Sequence, residues 1–430
     1  MSCRNIVILA TLVFSSPLRA EVSQAVLAKA NALYYSLTSS NLQDENPLKA
    51  SIVAAVARND LKGAAHLTTD KSGARLFYDN VVRNIAVTYN RSEGANPAST
   101  GDGSNNYRDN FNANDIVALF IGVVRDKHSY KKFLTGNFFY ADTNACSGRA
   151  NGQNITAAYS EDSNLHFACL DKSSSLRDAL KQQSSGSGDV GIFTRRQFAM
   201  DFYEAGTNRR PIKAMVELLY LVQLPTIKSF ELPDGYVRQD VPRLDPAGSP
   251  DAYQTNCRGC HSFIDPLSTA FGLLDFDLEN NRILRRSAFP VPYKINEVNS
   301  PTYKPTSDAW SLFVTDAQNE VFQFRDVPGN YDGAPISFTT VADGLRLATG
   351  QGPKDLARVL AESRGYAKGL VTRIVSYFAL KKVWSGPDMS DEDRQRLLSQ
   401  GGVIERLTDT LVRNENLAEI FEEAAVQYLK

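Results

Sequence analysis

Five consecutive residues, Cys257-Arg-Gly-Cys260-His261, carry the most specific chemistry in this sequence. Two thiols three positions apart on a helical turn can each add to one vinyl group of a haem. The next side chain then offers its imidazole to the iron from the proximal side. This is the attachment pattern of a c-type haem, with Cys257 and Cys260 as covalent tethers and His261 as axial ligand. Two other chemistries use the same residue types. A thioredoxin-like dithiol pair belongs in a βαβ context, which the sequence pattern does not supply. A zinc site would have to recruit Cys146 and Cys169, which lack the close spacing of a zinc knuckle.

Thioether attachment takes place outside the cytoplasmic membrane in bacteria, so the pattern calls for export. The chain opens Met-Ser-Cys-Arg, continues with the apolar run Ile6–Phe14 and reaches Ala20 before Glu21. A basic start, a short apolar run and a small residue before the cut predict a signal peptide over 1–20. The run is too short to span a bilayer, and no later segment is long and apolar enough to do so. The expected location is periplasmic or secreted. Cys3 leaves with the signal, and Cys146, Cys169, Cys257 and Cys260 remain. In an oxidising compartment Cys146 and Cys169 are expected to form a disulfide, contributing ~3 kcal/mol by constraining the unfolded chain.

The elements that must position the motif are mostly helical. With 430 residues, 43% hydrophobic and 22% charged, the chain has ordinary globular composition and room for two or three domains. Formal net charge is −1, which excludes a nucleic-acid binder relying on a strong basic field. Loss of Arg4 and Arg19 with the signal takes 47 basic residues to 45 against 48 acidic ones, net −3. Apolar spacing at Ile52, Val53, Val56, Leu76, Val81 and Ile85 predicts helix between Pro47 and about Ser92. A capped helix is expected from Asn114-Asp115 to Val124, then a short one ending near Gly136. Further helices are expected over Arg195–Ala205 and Pro211–Leu224, the latter with Ile212, Met215, Leu219 and Val222 on one face. Asp265-Pro266 is expected to end the helix carrying the motif. Leu312–Thr315 and Glu320–Phe324 predict a hairpin, and Lys354–Lys430 is helical with breaks at Gly386-Pro387 and Gly401-Gly402. The fold class is therefore mainly α, helical domains around a c-type haem with a small antiparallel β insertion. Its segments are a signal peptide (1–20), an N-terminal helical domain (21–190), a haem-attachment region (191–285), a β-containing insertion (286–350) and a C-terminal helical module (351–430).

The flanks of the motif carry a family resemblance. Cys257–Asp277 places Asp265-Pro266 shortly after the histidine and ends an apolar stretch in Phe276-Asp277. It resembles a group of large, secreted bacterial cytochrome-c-like proteins of unassigned function. The block Gly191-Ile-Phe-Thr-Arg-Arg-Gln-Phe198, followed by Thr207-Asn-Arg-Arg-Pro211, is similar to one that the group carries upstream of its motif. Ala361–Phe421 is similar to its terminal helical module. The resemblance spans much of 114–430 and is strongest around the motif. It departs at Ser268, where the group has Gly, and at Asn280-Asn-Arg282, where the group has Gly-x-x-Arg. The resemblance implies a covalently held haem and a helical architecture, and no substrate.

Function turns on the far side of the iron, where a strong ligand makes an electron carrier and an open position admits small molecules. Met389, in Gly386-Pro-Asp-Met-Ser-Asp-Glu-Asp393, is the chosen distal ligand. It resembles the ligand methionine that small cytochromes c place on a loop before their last helix. Ser390 and Asp393 are expected to cap the helix that follows. Met215 is expected in the core, and Met200, sitting among Phe198 and Phe202, is a candidate to pack on the haem edge or to ligate it. His66 is expected to cap a helix end and His128 to lie on the solvated surface, while His166 has no spacing argument. Arg258, Arg282, Arg285 and Arg286 are candidates for haem propionates or an acidic partner, or are solvated. Tyr377, Phe378 and Trp384 wall a haem or fill a helix core.

These features lead to an exported mono-haem c-type cytochrome that transfers single electrons to a periplasmic redox partner. The alternative is a periplasmic haem oxidoreductase, peroxidase-like or a dehydrogenase, with an open or labile distal site. No second C-x-x-C-H occurs, and no Rossmann-type glycine fingerprint follows a strand. The absorption spectrum of Met389→Ala separates the two readings. A carrier ligated by Met389 loses its low-spin spectrum, whereas an enzyme with an open site is nearly unchanged.

Overall fold

The computed structural model describes residues 22–70, 74–89, 115–141, 176–184, 190–203, 209–227, 232, 236, 257–277, 282–288, 305–328, 335–342, 344–381 and 390–429. It is mainly helical with small antiparallel sheets, as the periodicity predicts. Ser23 caps helix α1 (Gln24–Thr38) by accepting from the Val26 N–H. The helical stretch expected from Pro47 divides into α2 (Lys49–Ala57), α3 (Leu61–Asp70), and a π-turn over Phe77–Val82 that runs into α4 (Arg83–Ala86). Helix α5 (Asp115–Arg125) begins where expected and is buried from Asp115 to Val124, and α6 (Lys132–Thr135) ends at Gly136. Strand β1 (Phe138–Ala141), helix α7 (Leu176–Ala179) and strand β2 (Lys181–Ser184) follow, with β1 and β2 antiparallel and Phe138 opposite Ser184.

Helices α8 (Arg196–Phe202) and α9 (Arg209–Ala214) lead toward the motif, and α9 continues as a π-turn over Met215–Leu219. Ile212, Met215 and Leu219 are buried as predicted, but the wider turn ends the helix before Val222. The buried carboxylate of Asp115 accepts the backbone N–H groups of Arg196 (2.6 Å) and Gln197 (3.2 Å). It thereby ties the start of α5 to the positive end of α8.

Helix α10 (Arg258–Ser268) carries the motif. The expectation that Asp265-Pro266 ends it is corrected: the helix runs through Pro266 to Ser268 and into a 3₁₀ turn over Thr269–Phe271. Hydroxyls support this end. Ser268 Oγ donates to the Asp265 carbonyl (2.8 Å), and Thr269 Oγ1 donates to the Ala309 carbonyl of the neighbouring sheet (2.6 Å). Strands β3 (Leu274–Asp277) and β4 (Arg282–Arg285) then pair antiparallel.

The predicted hairpin over 312–324 is also corrected. Leu312–Thr315 lies in strand β5 (Ala309–Thr315), but Asp316–Phe322 is helix α11. Thr315 and Gln318 form a capping box, each side chain accepting the other's backbone N–H, and this local chemistry overrides the apolar alternation. The partner of β5 comes from farther on. Strands β6 (Thr339–Ala342) and β7 (Leu345–Gln351) complete a sheet of order β5-β7-β6, with Ala309 opposite Gln351. The expected antiparallel insertion is therefore present, with different pairing.

Helices α12 (Gly352–Ala361), α13 (Arg364–Leu380), α14 (Asp391–Leu398), α15 (Gly401–Asn414) and α16 (Leu417–Gln427) close the chain. Ser390 caps α14 through the Asp393 N–H, with Asp391, Glu392 and Asp393 in its first turn, as predicted. Helix α13 is buried along most of its length and is the centre of the core, packing on α15, α16, α4 and the π-turn after α9. Buried apolar side chains from α1 to α16 form one continuous cluster. Among the described residues, no helix is long and apolar enough to cross a membrane.

Helix α13 meets the π-turn at backbone distance. A Cβ on Gly369 would lie 2.0 Å from the Leu219 carbonyl oxygen. Alanine would gain ~1 kcal/mol of helix propensity but would lose ~1–3 kcal/mol or more to overpacking, because the obstacle is backbone. Gly369→Ala should therefore lower the midpoint of urea unfolding, and a midpoint equal to or above wild type would refute the close approach.

Candidate functional site

Position 257 is the N-cap of α10, and the N–H groups of Cys260 (3.2 Å) and His261 (3.1 Å) both donate to the Cys257 carbonyl. Residues 257, 260 and 261 are spaced i, i+3 and i+4, so they share one helix face. All three are half-buried, whereas Ser262 to Ser268 are buried. The motif thus stands at the edge of the core while the rest of its helix is inside. Phe263 anchors the helix by stacking on Phe322 at 5.4 Å with 10° between ring planes.

Beneath the motif lies a charged arrangement. Asp265, with no solvent exposure, accepts from Arg209 at both oxygens, Nε to Oδ1 at 2.7 Å and Nη2 to Oδ2 at 3.0 Å. Its Oδ2 also meets His261 Nδ1 at 3.2 Å. Burial pushes the carboxyl pKa up, but the Arg209 guanidinium and the His261 hydrogen bond outweigh it and hold the group at about 2. An ionised Asp265 can only accept, so Nδ1 of His261 carries the proton and the ring's lone pair is on Nε2.

Cys257 and Cys260 are not joined to each other. Burial and the Asp265 charge push the Cys257 thiol up, against the pull of Arg209. Burial and Cys257 do the same to Cys260, against Lys213. Both are therefore protonated near neutral pH, unlike the thiolates of dithiol oxidoreductases. Among the described residues, no group of three or more His, Cys, Asp or Glu side chains is arranged to hold a metal ion.

The remaining predicted residues sort as follows. Met389, Cys146, Cys169, His166 and Trp384 lie outside the described residues. Met215 is in the core, and Met200 is buried beside the Phe198–Phe202 ring pair. The capping role of His66 is corrected: it sits inside α3, with Nδ1 2.9 Å from the buried Glu422 of α16. His128 is corrected too, being half-buried, 3.1 Å from the Gln182 side chain and beside the Phe138 ring. Phe378 fills the core, and Tyr377 reaches α1 through the Ser39 hydroxyl at 2.9 Å. Arg286 pairs with Asp275 of β3 at 2.7 Å.

Sequence reasoning missed Arg209, which is 56 positions from its partner, and gave Asp265 a helix-ending role instead of an imidazole contact. The His261–Asp265 spacing of i, i+4 is a detectable signal; nothing in the sequence links either residue to Arg209. No protein-family model matches this chain, nor does any curated protein or solved structure.

The donor set fits a covalently attached haem. Two protonated thiols and an imidazole with its lone pair on Nε2 share one half-buried helix face. Asp265 also makes stability depend on acid. Its folded pKa of about 2 lies below the ordinary 3.8, so its contribution is fully present above pH ~4 and is lost as pH falls through ~2. The unfolding free-energy gap between wild type and Asp265→Asn should narrow by about 2 kcal/mol from pH 6 to pH 2. A gap independent of pH in denaturant titrations would mean that the carboxylate is not charged in the folded protein.

Proposed function

We propose that the chain is an exported mono-haem c-type cytochrome that transfers single electrons to a periplasmic redox partner. The observation that carries this reading is the shared face of Cys257, Cys260 and His261 at the start of α10, with His261 Nδ1 held by a buried carboxylate. Cys257 and Cys260 would hold the haem as thioethers, each sulfur joined to one carbon of a vinyl group and its proton to the other, which would need no oxidant. The bound haem supplies the one-electron couple. The chain's residues do the rest: two cysteines tether, Asp265 fixes the imidazole tautomer, and the apolar body of α10 keeps water from the proximal side. The resemblance of Cys257–Asp277 to secreted cytochrome-c-like proteins and the signal-like start support the same reading.

The raised thiols weigh against a dithiol exchanger, whose attacking cysteine must be a thiolate. The haem oxidoreductase reading differs in the distal ligand alone, and carbon monoxide separates the two. The chain matured in a haem-attaching periplasm should keep its haem after denaturation and show a c-type ferrous spectrum. Cys257→Ala with Cys260→Ala should abolish that attachment. A ferrous spectrum unmoved by carbon monoxide means both axial positions are filled and the carrier reading stands. A shifted spectrum moves the assignment to the oxidoreductase, and absence of covalent haem from wild type removes both.

A further inference from the structure

A neutral backbone carbonyl would be enough to orient the His261 ring. A full negative charge stands there instead, with no solvent contact, answered by the half-buried guanidinium of Arg209. Taking the Asp265 carboxylate fully out of water is costly, and apolar residues in place of an ion pair often serve stability as well or better. Orientation alone therefore does not account for the charge. Its geometry indicates what does. Oδ1 contacts Arg209, while Oδ2 is shared between Arg209 Nη2 at 3.0 Å and His261 Nδ1 at 3.2 Å. A carboxylate accepting Nδ1–H makes the opposite nitrogen a stronger electron donor. Arg209 limits that effect by drawing on both oxygens.

We propose that Asp265 is a positioning residue that sets the reduction potential of the haem bound by His261, holding it low by strengthening Nε2 as a donor, and that Arg209 fixes how far. This rests on the c-type haem reading. A more basic ligand and a nearby fixed negative charge both favour the ferric over the ferrous state, so losing the carboxylate should raise the potential.

The test is redox titration of the haem-loaded full chain, followed by absorption spectroscopy. Asp265→Asn keeps the shape and removes the charge. At a fixed ambient potential its ferric-to-ferrous ratio should fall at least tenfold, which is about 59 mV for a one-electron couple. Asp265→Asn leaves the half-buried Arg209 against a neutral group and risks misfolding. The double variant Arg209→Leu with Asp265→Leu removes both charges together, and its ratio should fall in the same direction. Unaltered ferrous protein gives an independent readout, a His261 Nδ1 proton in the NMR spectrum that is shifted downfield and exchanges slowly with water. Ratios within threefold of wild type, with only the unfolding temperature reduced, would overturn the proposal and leave Asp265 a structural anchor. An Nδ1 proton in rapid exchange would overturn it as well. If wild type carries no covalent haem, the underlying reading falls with it; if haem is bound and the potential does not move, the inference fails alone.

Discussion

A carboxylate cut off from solvent has to be answered from inside the protein, and the position of the motif follows from how Asp265 is answered. Its partners come from two places, the start of α9 through Arg209 and one turn earlier on its own helix through His261. Removing either partner from such a group leaves a charge or a donor uncompensated, a loss of a few kcal/mol. The ion pair therefore fixes α10 against α9. Because Cys257 and Cys260 lie on the same first turn as His261, it also fixes where the thiols stand. Downstream, the helix continues through Pro266, and the hydroxyls of Ser268 and Thr269 fasten its end to Asp265 and to β5.

The constraint passes from α9 into the centre of the core. The π-turn that continues α9 lies against α13, where Gly369 lets backbone approach backbone. Arg373 of α13 donates to the Leu218 carbonyl and sits 4.3 Å from the centre of the Tyr89 ring. Those contacts join α13, the π-turn, Arg209 and Asp265 into one mechanical path to His261. Helix α13 is surrounded by α15 and α16, and α16 in turn packs on α1 and α3. The residues before 90 and after 350 thus share one core, and both support a five-residue motif between them.

What was legible in the sequence was local. The helix cap at Ser390, the start of α5 at Asp115, the end of α6 at Gly136 and the buried stripe through Ile212 and Met215 each depend on residues within a turn or two. The failures have equally local or plainly distant causes. Glu320–Phe324 reads as a strand after a polar turn, yet Thr315 and Gln318 satisfy each other's backbone and start a helix over that turn. Pro266 disfavours helix at the residue before it, but tertiary contacts of α10 outweigh that preference. Arg209 was out of reach because an ion pair across 56 positions has no periodicity to detect. The i, i+4 spacing of His261 and Asp265 is local, and the proline at 266 gives Asp265 a competing helix-ending signal.

The burial that holds the helix bears on which thiol chemistry is open to it. Burial is the largest cause of the raised Cys257 and Cys260 thiols; at Cys257 the pull of Arg209 exceeds the push of Asp265, and burial still prevails. Helix N-termini commonly lower thiol pKa values, which is how dithiol exchangers obtain their thiolate. Here burial pushes both thiols up, so the pair is poorly suited to attack a disulfide. Addition of a thiol to a vinyl group needs no leaving thiolate and ends in a bond that redox conditions do not reverse. Burial lowers the thiolate character of the pair, and that loss matters for disulfide exchange far more than for addition to a vinyl group. The oriented imidazole follows from a buried aspartate one turn after the motif, and the raised thiols follow from the burial of the helix that carries both.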